Sequence, residues 1–321
     1  MSSTGAARGR VDSVLLAGFG GPTRSEEVMP FLERVGAGRG VPRERLFEVA
    51  HHYELLGGRS PYNDLIEAQA LALAGWLEKQ GRTLPVYIGM RHAAPFTADT
   101  LARMAAAGRR FAAGIVLATH RSPLSREGYV QDIDRALEAG GLTGLLGVRC
   151  LEPWFDDPAF LEACAQRLEQ AAGHRRAAWP DDLPVLFTAH SIPTAVAGRS
   201  PYVADLEASC RGVADRLGCP NWRLAWQSRS GDSSTPWLEP DILEVLREEA
   251  AAGVRQVVVQ AIGFLTDHVE VLYDLDIEAR RLASGLGVEM MRAACVNAHP
   301  AFIEMLGRRV LALADAAGAP R

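Results

Sequence analysis

The chain has 321 residues, a formal charge of -5 and ordinary apolar and charged fractions, so it can form one large or two medium domains with real cores. The acidic balance and the absence of a basic block argue against a nucleic-acid partner, and no apolar run approaches the roughly 20 residues of a membrane span. Five widely spaced cysteines with no C-x-x-C pair indicate neither a zinc site nor a disulfide framework, which fits a reducing cytoplasm. The first twelve residues are small and polar and lack the apolar core of a signal peptide.

Val14–Phe19 is the first strand, and the turn Gly20-Gly21-Pro22 leads to a helix starting near Ser25. The glycine spacing is neither G-x-G-x-x-G nor a Walker A; the glycines are expected to let a flat ligand approach the backbone. Arg34, Arg39, Arg43 and Arg45 fall in a Gly-punctuated stretch read as a loop, either solvated or binding an anion. His51-His52-Tyr53 lies on a helix, followed by the turn Gly57–Tyr62 and an amphipathic helix over 65–80. Val86–Met90 is strand two, followed by Arg91-His92 and a helix from Thr97. Ile115–Ala118 is strand three, ending in Thr119-His120-Arg121-Ser122-Pro123, and 129–139 is helical. From Val148 the chain reads as a crossover, CLEPWFDDP.

The order then repeats: helix 159–172, strand 184–189, helix 202–217, strand 222–226, helix 241–251, strand 254–262, an acidic helix, strand 288–294 and helix 301–316. LLAGFGGP corresponds in role to LFTAHSIP, and GIVLATHRSP to VVVQAIGFLTDH. Alternating strands and helices imply parallel sheets. The expected fold is α/β: two similar doubly wound domains, 11–150 and 151–321, with a cleft between them and the last helix packing back on the first domain.

The stretch Gly263–Arg280, GFLTDHVEVLYDLDIEAR, carries the strongest chemical signal. Thr266 or Asp267 can cap a helix, with Glu270 three residues past Asp267. His268, Val271, Leu272, Leu275, Ala279 and Leu282 share one helical face. Glu270, Asp274 and Glu278 recur every four residues on another face, with no Lys or Arg between them. Like charges at that spacing repel. The stripe is either a solvated face with a capping box or a carboxylate ladder in a cleft that handles a cation or relays protons. His190 stands where the strand 184–189 ends, and ligands in open α/β sheets sit beyond the carboxyl ends of strands. His190 and the acid helix are therefore expected to face one crevice.

Taken together, FTAHSIP (187–193), WQSRSG (226–231), PWLEPDI (236–242) and GFLTDHVEVLYDLDIE (263–278), with FGGP (19–22), VMPFL (28–32), GRGVP (38–42) and GGRSP (57–61), make the chain resemble ferrochelatase, the enzyme family that inserts ferrous iron into a porphyrin. The resemblance runs from about Ser13 to Ala316 and is nearest the soluble forms of Gram-positive bacteria. It implies His190 as the catalytic base and a metal ligand, Glu270 facing it across the porphyrin as second catalytic and metal-binding group, and Asp274 with Glu278 as an acidic conduit. Phe19, Arg39, Ser60, Ser122 and Tyr129 align with positions near the porphyrin or its propionates.

The resemblance also implies Fe²⁺ as substrate and a lyase of haem biosynthesis. Expected with it are a cytoplasmic monomer with no membrane span, and transient contact with neighbouring haem-pathway enzymes. Some soluble members carry Tyr where this chain has Phe19, a residue that cannot ligate product iron. Some actinobacterial members hold an iron–sulfur cluster through cysteines near the C-terminus; no cysteine follows Cys295 here, so no cluster is expected. His92 stands where an aromatic residue is usual.

A neutral imidazole suits removal of the two pyrrole protons, and imidazole and carboxylate are exchangeable Fe²⁺ ligands. The rival functions are a porphyrin or haem carrier without turnover, a cobalt chelatase, and a Ser/His hydrolase, for which G-x-S-x-G is missing. Coproporphyrin III is expected over protoporphyrin IX: four propionates call for several donors, here Arg34, Arg39, Arg43, Arg45 and Arg59 with Ser60, Ser122, Ser125 and Tyr129. The first half shows no extended apolar lip.

Overall fold

The computed structural model describes residues 10–38, 40–174, 178–229 and 235–318. Arg39, Ser230 and Gly231, singled out above, lie outside them.

In the first half, β1 (Ser13–Gly18), β2 (Val86–Met90), β3 (Phe111–Val116) and β4 (Gly147–Cys150) form one parallel sheet in the order β2-β1-β3-β4. The second half repeats it: β5 (Val185–His190), β6 (Trp222–Gln227), β7 (Gln256–Gln260) and β8 (Glu289–Ala293) pair in the order β6-β5-β7-β8. Both are the doubly wound order, so β1 corresponds to β5 and β3 to β7. The inner strands β1 and β3 are buried at every residue, and β5 at every residue except His190. That is what continuous apolar runs covered on both faces require.

The first-half helices are α1 (Val28–Gly36), α2 (Arg43–Leu55), α3 (Tyr62–Lys79), α4 (Thr97–Ala106) and α5 (Arg126–Ala139). The second half holds α6 (Pro158–Ala172), α7 (Thr194–Ala197), α8 (Tyr202–Leu217) and α9 (Ile242–Ala251). Then α10 (Val269–Val271), a π-helical segment (Leu272–Ala279) and α11 (Arg280–Gly285) run on as one acid helix. The last is α12 (Pro300–Gly318). One buried cluster joins the halves: Leu16, Ile66 and Leu73 of the first with Phe160, Phe187, Leu206 and Phe302 of the second. α12 lies flat on α3, because Gly307 faces the Trp76 ring; a Cβ there would meet the ring at 2.2 Å.

Four local expectations need correction. β3 begins at Phe111 rather than Ile115, because small residues, Ala112, Ala113 and Gly114, hide its first half from a hydropathy pattern. β4 is a strand where a crossover was expected; GVRC is an edge with little apolar content. Arg34 lies in the last turn of α1, and Arg43 and Arg45 open α2, so the arginines do not share a loop. The space beside Gly20 and Gly21 is filled by Ala93 and Ser60, 2.8 Å from where each Cβ would stand, and not by room for a ligand.

Candidate active site

His190 closes β5, and the loop after β7 feeds the acid helix, so both stand at the carboxyl ends of neighbouring inner strands. His190 Nδ1 lies against the Ser191 carbonyl. A carbonyl only accepts, so Nδ1 carries the proton and Nε2 presents a lone pair. Nε2 lies 3.9 Å from Glu270 Oε2, and the two side chains are 32% and 43% exposed, which leaves both open to a substrate.

The acid helix starts at His268 without a side-chain cap. The expected cap at Asp267 is not formed, because its carboxylate is turned to Arg292 at 2.7 Å and to Asn297 Nδ2 at 2.7 Å. Arg292 holds Asp267's carboxyl below its ordinary value against the opposing effect of burial. Arg292 also reaches Asp276 at 2.8 Å. Two rigid links therefore fix the entry and the middle of the helix.

Val271, Leu275, Ala279 and Ala283 are buried, a period of four. Each π-helical residue turns through less than the 100° of an α-helix, so residues four apart stay aligned. The same geometry keeps Glu270, Asp274 and Glu278 in one line. Leu272 and Leu282, expected on the apolar face, are only half-buried.

Asp274 is held by Ser228 Oγ and by Gln227 Nε2 at 3.2 Å, both neutral donors from the end of β6. Burial lifts its carboxyl to about 7; the hydroxyl and amide oppose the rise, and the charges of Glu270 and Glu278 add to it. Glu278, at the outer end, is exposed and also raised, through desolvation and Asp241, with Arg45 opposing. It borders an open groove of about 540 Å³ between α9 and α11.

Sequence reasoning gave no role to several neighbours of this line. His52 of α2 stacks on Tyr273 of the π segment, with ring centroids 3.4 Å apart and planes 6° off parallel. Burial lowers the His52 pKa, with Arg45 and His51 adding to it and Glu270 opposing. His268 packs between Phe264 and Tyr62, and burial lowers its pKa against the pull of Glu270 and Asp267. Gln227 and Ser228 were within reach of the strand-end rule. The His52–Tyr273 stack joins residues over two hundred positions apart and has no local signal.

In the first half, the described residues expected near the porphyrin stand after β1, before α3, after β3 and in α5. Phe19 follows β1 and lies 4.6 Å, centroid to centroid, from His92. The Phe19 amide donates to the Tyr62 hydroxyl at 2.9 Å. Ser60 and Ser122 are 3% and 1% exposed, and their hydroxyls accept backbone amides of their own loops, Tyr62 at 3.3 Å and Leu124 at 3.2 Å. Tyr129 is buried under the Arg91 guanidinium, 4.2 Å from its ring. Arg34 donates to the His92 carbonyl at 3.0 Å, Arg45 pairs with Glu48 at 2.7 Å, Arg59 pairs with Asp64, and Arg43 covers the Phe47 ring at 5.6 Å. The described arginines expected to receive propionates thus already have partners within the chain.

Set beside known proteins, the chain matches the ferrochelatase family model over residues 11–313. It is 42% identical over 296 residues to a ferrochelatase of Rhodopirellula baltica, covering 92% of this chain and 84% of that protein. It is 42% identical over 297 residues to a coproporphyrin III ferrochelatase of Mycobacterium tuberculosis, covering 92% and 83%. Among solved structures, the sirohydrochlorin chelatase of Bacillus subtilis in complex with cobalt overlays with a TM-score of 0.58 at 13% identity, covering 95% of this chain and 96% of that one, a likeness of fold. With the family matched across nearly its whole length, this chain belongs to the ferrochelatases, lyases that insert metal into porphyrin.

Proposed function

We propose that the protein inserts Fe²⁺ into coproporphyrin III, with His190 as the base and Glu270 as its partner at the metal. The observation that carries the chemistry is the 3.9 Å approach of His190 Nε2 to Glu270 Oε2. Insertion needs a group to take pyrrole protons and a group to release iron, and a neutral imidazole beside a carboxylate supplies both. His190 accepts at Nε2 while Ser191 holds Nδ1–H, so the imidazolium that forms keeps its orientation. Glu270, Asp274 and Glu278 lead outward as a line of exchangeable oxygen ligands. Asp274, with a carboxyl near 7, can take or return a proton at working pH. Phe19 offers product iron no ligand atom.

The choice of coproporphyrin rests on relatives that carry that name. With the described arginines engaged elsewhere, Arg39 is the first-half arginine left to test for a propionate. Phe47 and Leu55 of α2 are exposed singly, which is ordinary for a surface. We further propose that no iron–sulfur cluster is held, because the five cysteines, at 150, 164, 210, 219 and 295, are widely scattered with no close-set group. Acid-labile sulfide in an anaerobic preparation would overturn that.

Anaerobic Fe²⁺ insertion into coproporphyrin III and protoporphyrin IX, run side by side, tests the substrate. A kcat/KM at least about tenfold higher for coproporphyrin is expected. A preference for protoporphyrin refutes the choice of porphyrin, and binding without turnover of either makes the protein a carrier.

A further inference from the structure

The loop after β3 and the end of β5 belong to different sheets, yet one helix holds both. Tyr202, Asp205 and Ser209 lie on one face of α8 at spacings of three and four. The Tyr202 hydroxyl donates to the His190 carbonyl at 3.1 Å. Asp205, 2% exposed, receives three bonds from Arg121: backbone N–H at 3.0 Å, Nε at 2.8 Å and Nη2 at 2.6 Å. His120 Nε2 lies 3.1 Å from the Ser209 hydroxyl, which donates to the Phe155 carbonyl at 2.6 Å. That hydroxyl has one proton, so His120 donates to it as a neutral imidazole. Arg121 also covers the Phe155 ring at 5.2 Å.

A buried carboxylate carrying a bidentate arginine and a backbone amide is a stiff joint. It is made by the residue directly before Ser122, in the loop that leads to Tyr129. We infer that α8 is the spacer between the two walls of the cleft, and that Asp205, acting through Arg121, is a positioning residue that sets how the porphyrin lies relative to His190. Pulled loose, the loop still folds but no longer holds the macrocycle at one distance from Nε2, and a small misplacement of a bound reactant costs rate steeply. Among the described residues no hydrogen bond or ion pair links this joint to Glu270, Asp274 or Glu278, so KM for Fe²⁺ should be spared.

The inference rests on His190 being the base, and not on which porphyrin is used. Arg121→Lys keeps the charge and loses the fork; Arg121 is 41% exposed, so this variant is expected to fold. Asp205→Asn is the sharper change. Both are compared with wild type per folded molecule, varying porphyrin and Fe²⁺ separately. Expected is a fall of at least about fivefold in kcat/KM for porphyrin in both variants, with KM for Fe²⁺ within about twofold. A smaller fall in Arg121→Lys overturns the inference even if its melting temperature drops, as does a matching change in KM for Fe²⁺. If Asp205→Asn does not fold, Arg121→Lys decides. His190→Ala, run in parallel, reports separately on the underlying reading: retained turnover there defeats the base assignment and leaves the joint without a role.

Discussion

The two halves share a strand order and differ in the helix that follows the third strand of each. α5 follows β3 as an ordinary α-helix, and its Asp132 is paired with Arg91 and Arg135. The acid helix follows β7 as a π segment, and among the described residues its Asp274 meets only neutral partners, Ser228 and Gln227. A carboxylate committed to two guanidinium groups serves structure. One held by a hydroxyl and an amide, and largely buried, keeps a proton within reach of neutral pH. On the proposed function, the first half is a wall for a ligand, with aromatic rings and saturated loops, and the second the half that moves protons and metal.

The comparison breaks most visibly at Glu270. Glu270→Gln should lower kcat by about 100-fold or more while porphyrin binding stays within about threefold. A capping role would cost melting temperature and spare turnover, and with Asp267 committed to Arg292 no capping box stands behind it.

Asp274→Asn should lower kcat by about tenfold above pH 7 and remove the wild-type rise in kcat through about pH 7, measured as a pH profile on both proteins. Its effect on stability has the opposite sign from a usual carboxylate. An unfolded Asp titrates near about 3.9, and burial raises the folded group to about 7. The native state therefore binds the proton more tightly, and stability is lost as pH rises from about 4 to about 7. Asp274→Asn should accordingly raise the melting temperature at pH 8 and leave it unchanged at pH 3, below both values. Asp132→Asn, at the corresponding helix of the first half, should instead lose about 1 kcal/mol at pH 8 by calorimetry. If both variants shift the same way, the contrast between the halves fails. The smallest effect is expected at the exposed end of the line: Glu278→Gln should raise KM for Fe²⁺ by about two- to threefold and leave porphyrin constants alone.

Much of this was legible because apolar runs mark inner strands and the strand-end rule marks their loops. His190 and the Glu270–Asp274–Glu278 line both followed from that logic, and the repeat of the halves was visible in two pairs of motifs. The π segment was not legible: burial every fourth residue reads as an amphipathic α-helix, and only the backbone tells them apart. Asp267 has the right residue type for a cap, but its partners, Arg292 and Asn297, lie far along the chain. Arg43 and Arg45 read as loop residues because glycines precede them, although a helix starts at Arg43. The joint of Arg121 to Asp205 is likewise long-range and leaves no trace in periodicity.

The most direct test of the division between a holding half and a reacting half is His190→Ala, assayed for porphyrin binding by fluorescence quenching and for anaerobic Fe²⁺ insertion on the same preparation. The account predicts a dissociation constant within about threefold of wild type and a kcat lower by about a thousandfold or more. Turnover within about threefold of wild type, a barrier change of less than about 1 kcal/mol, would contradict it.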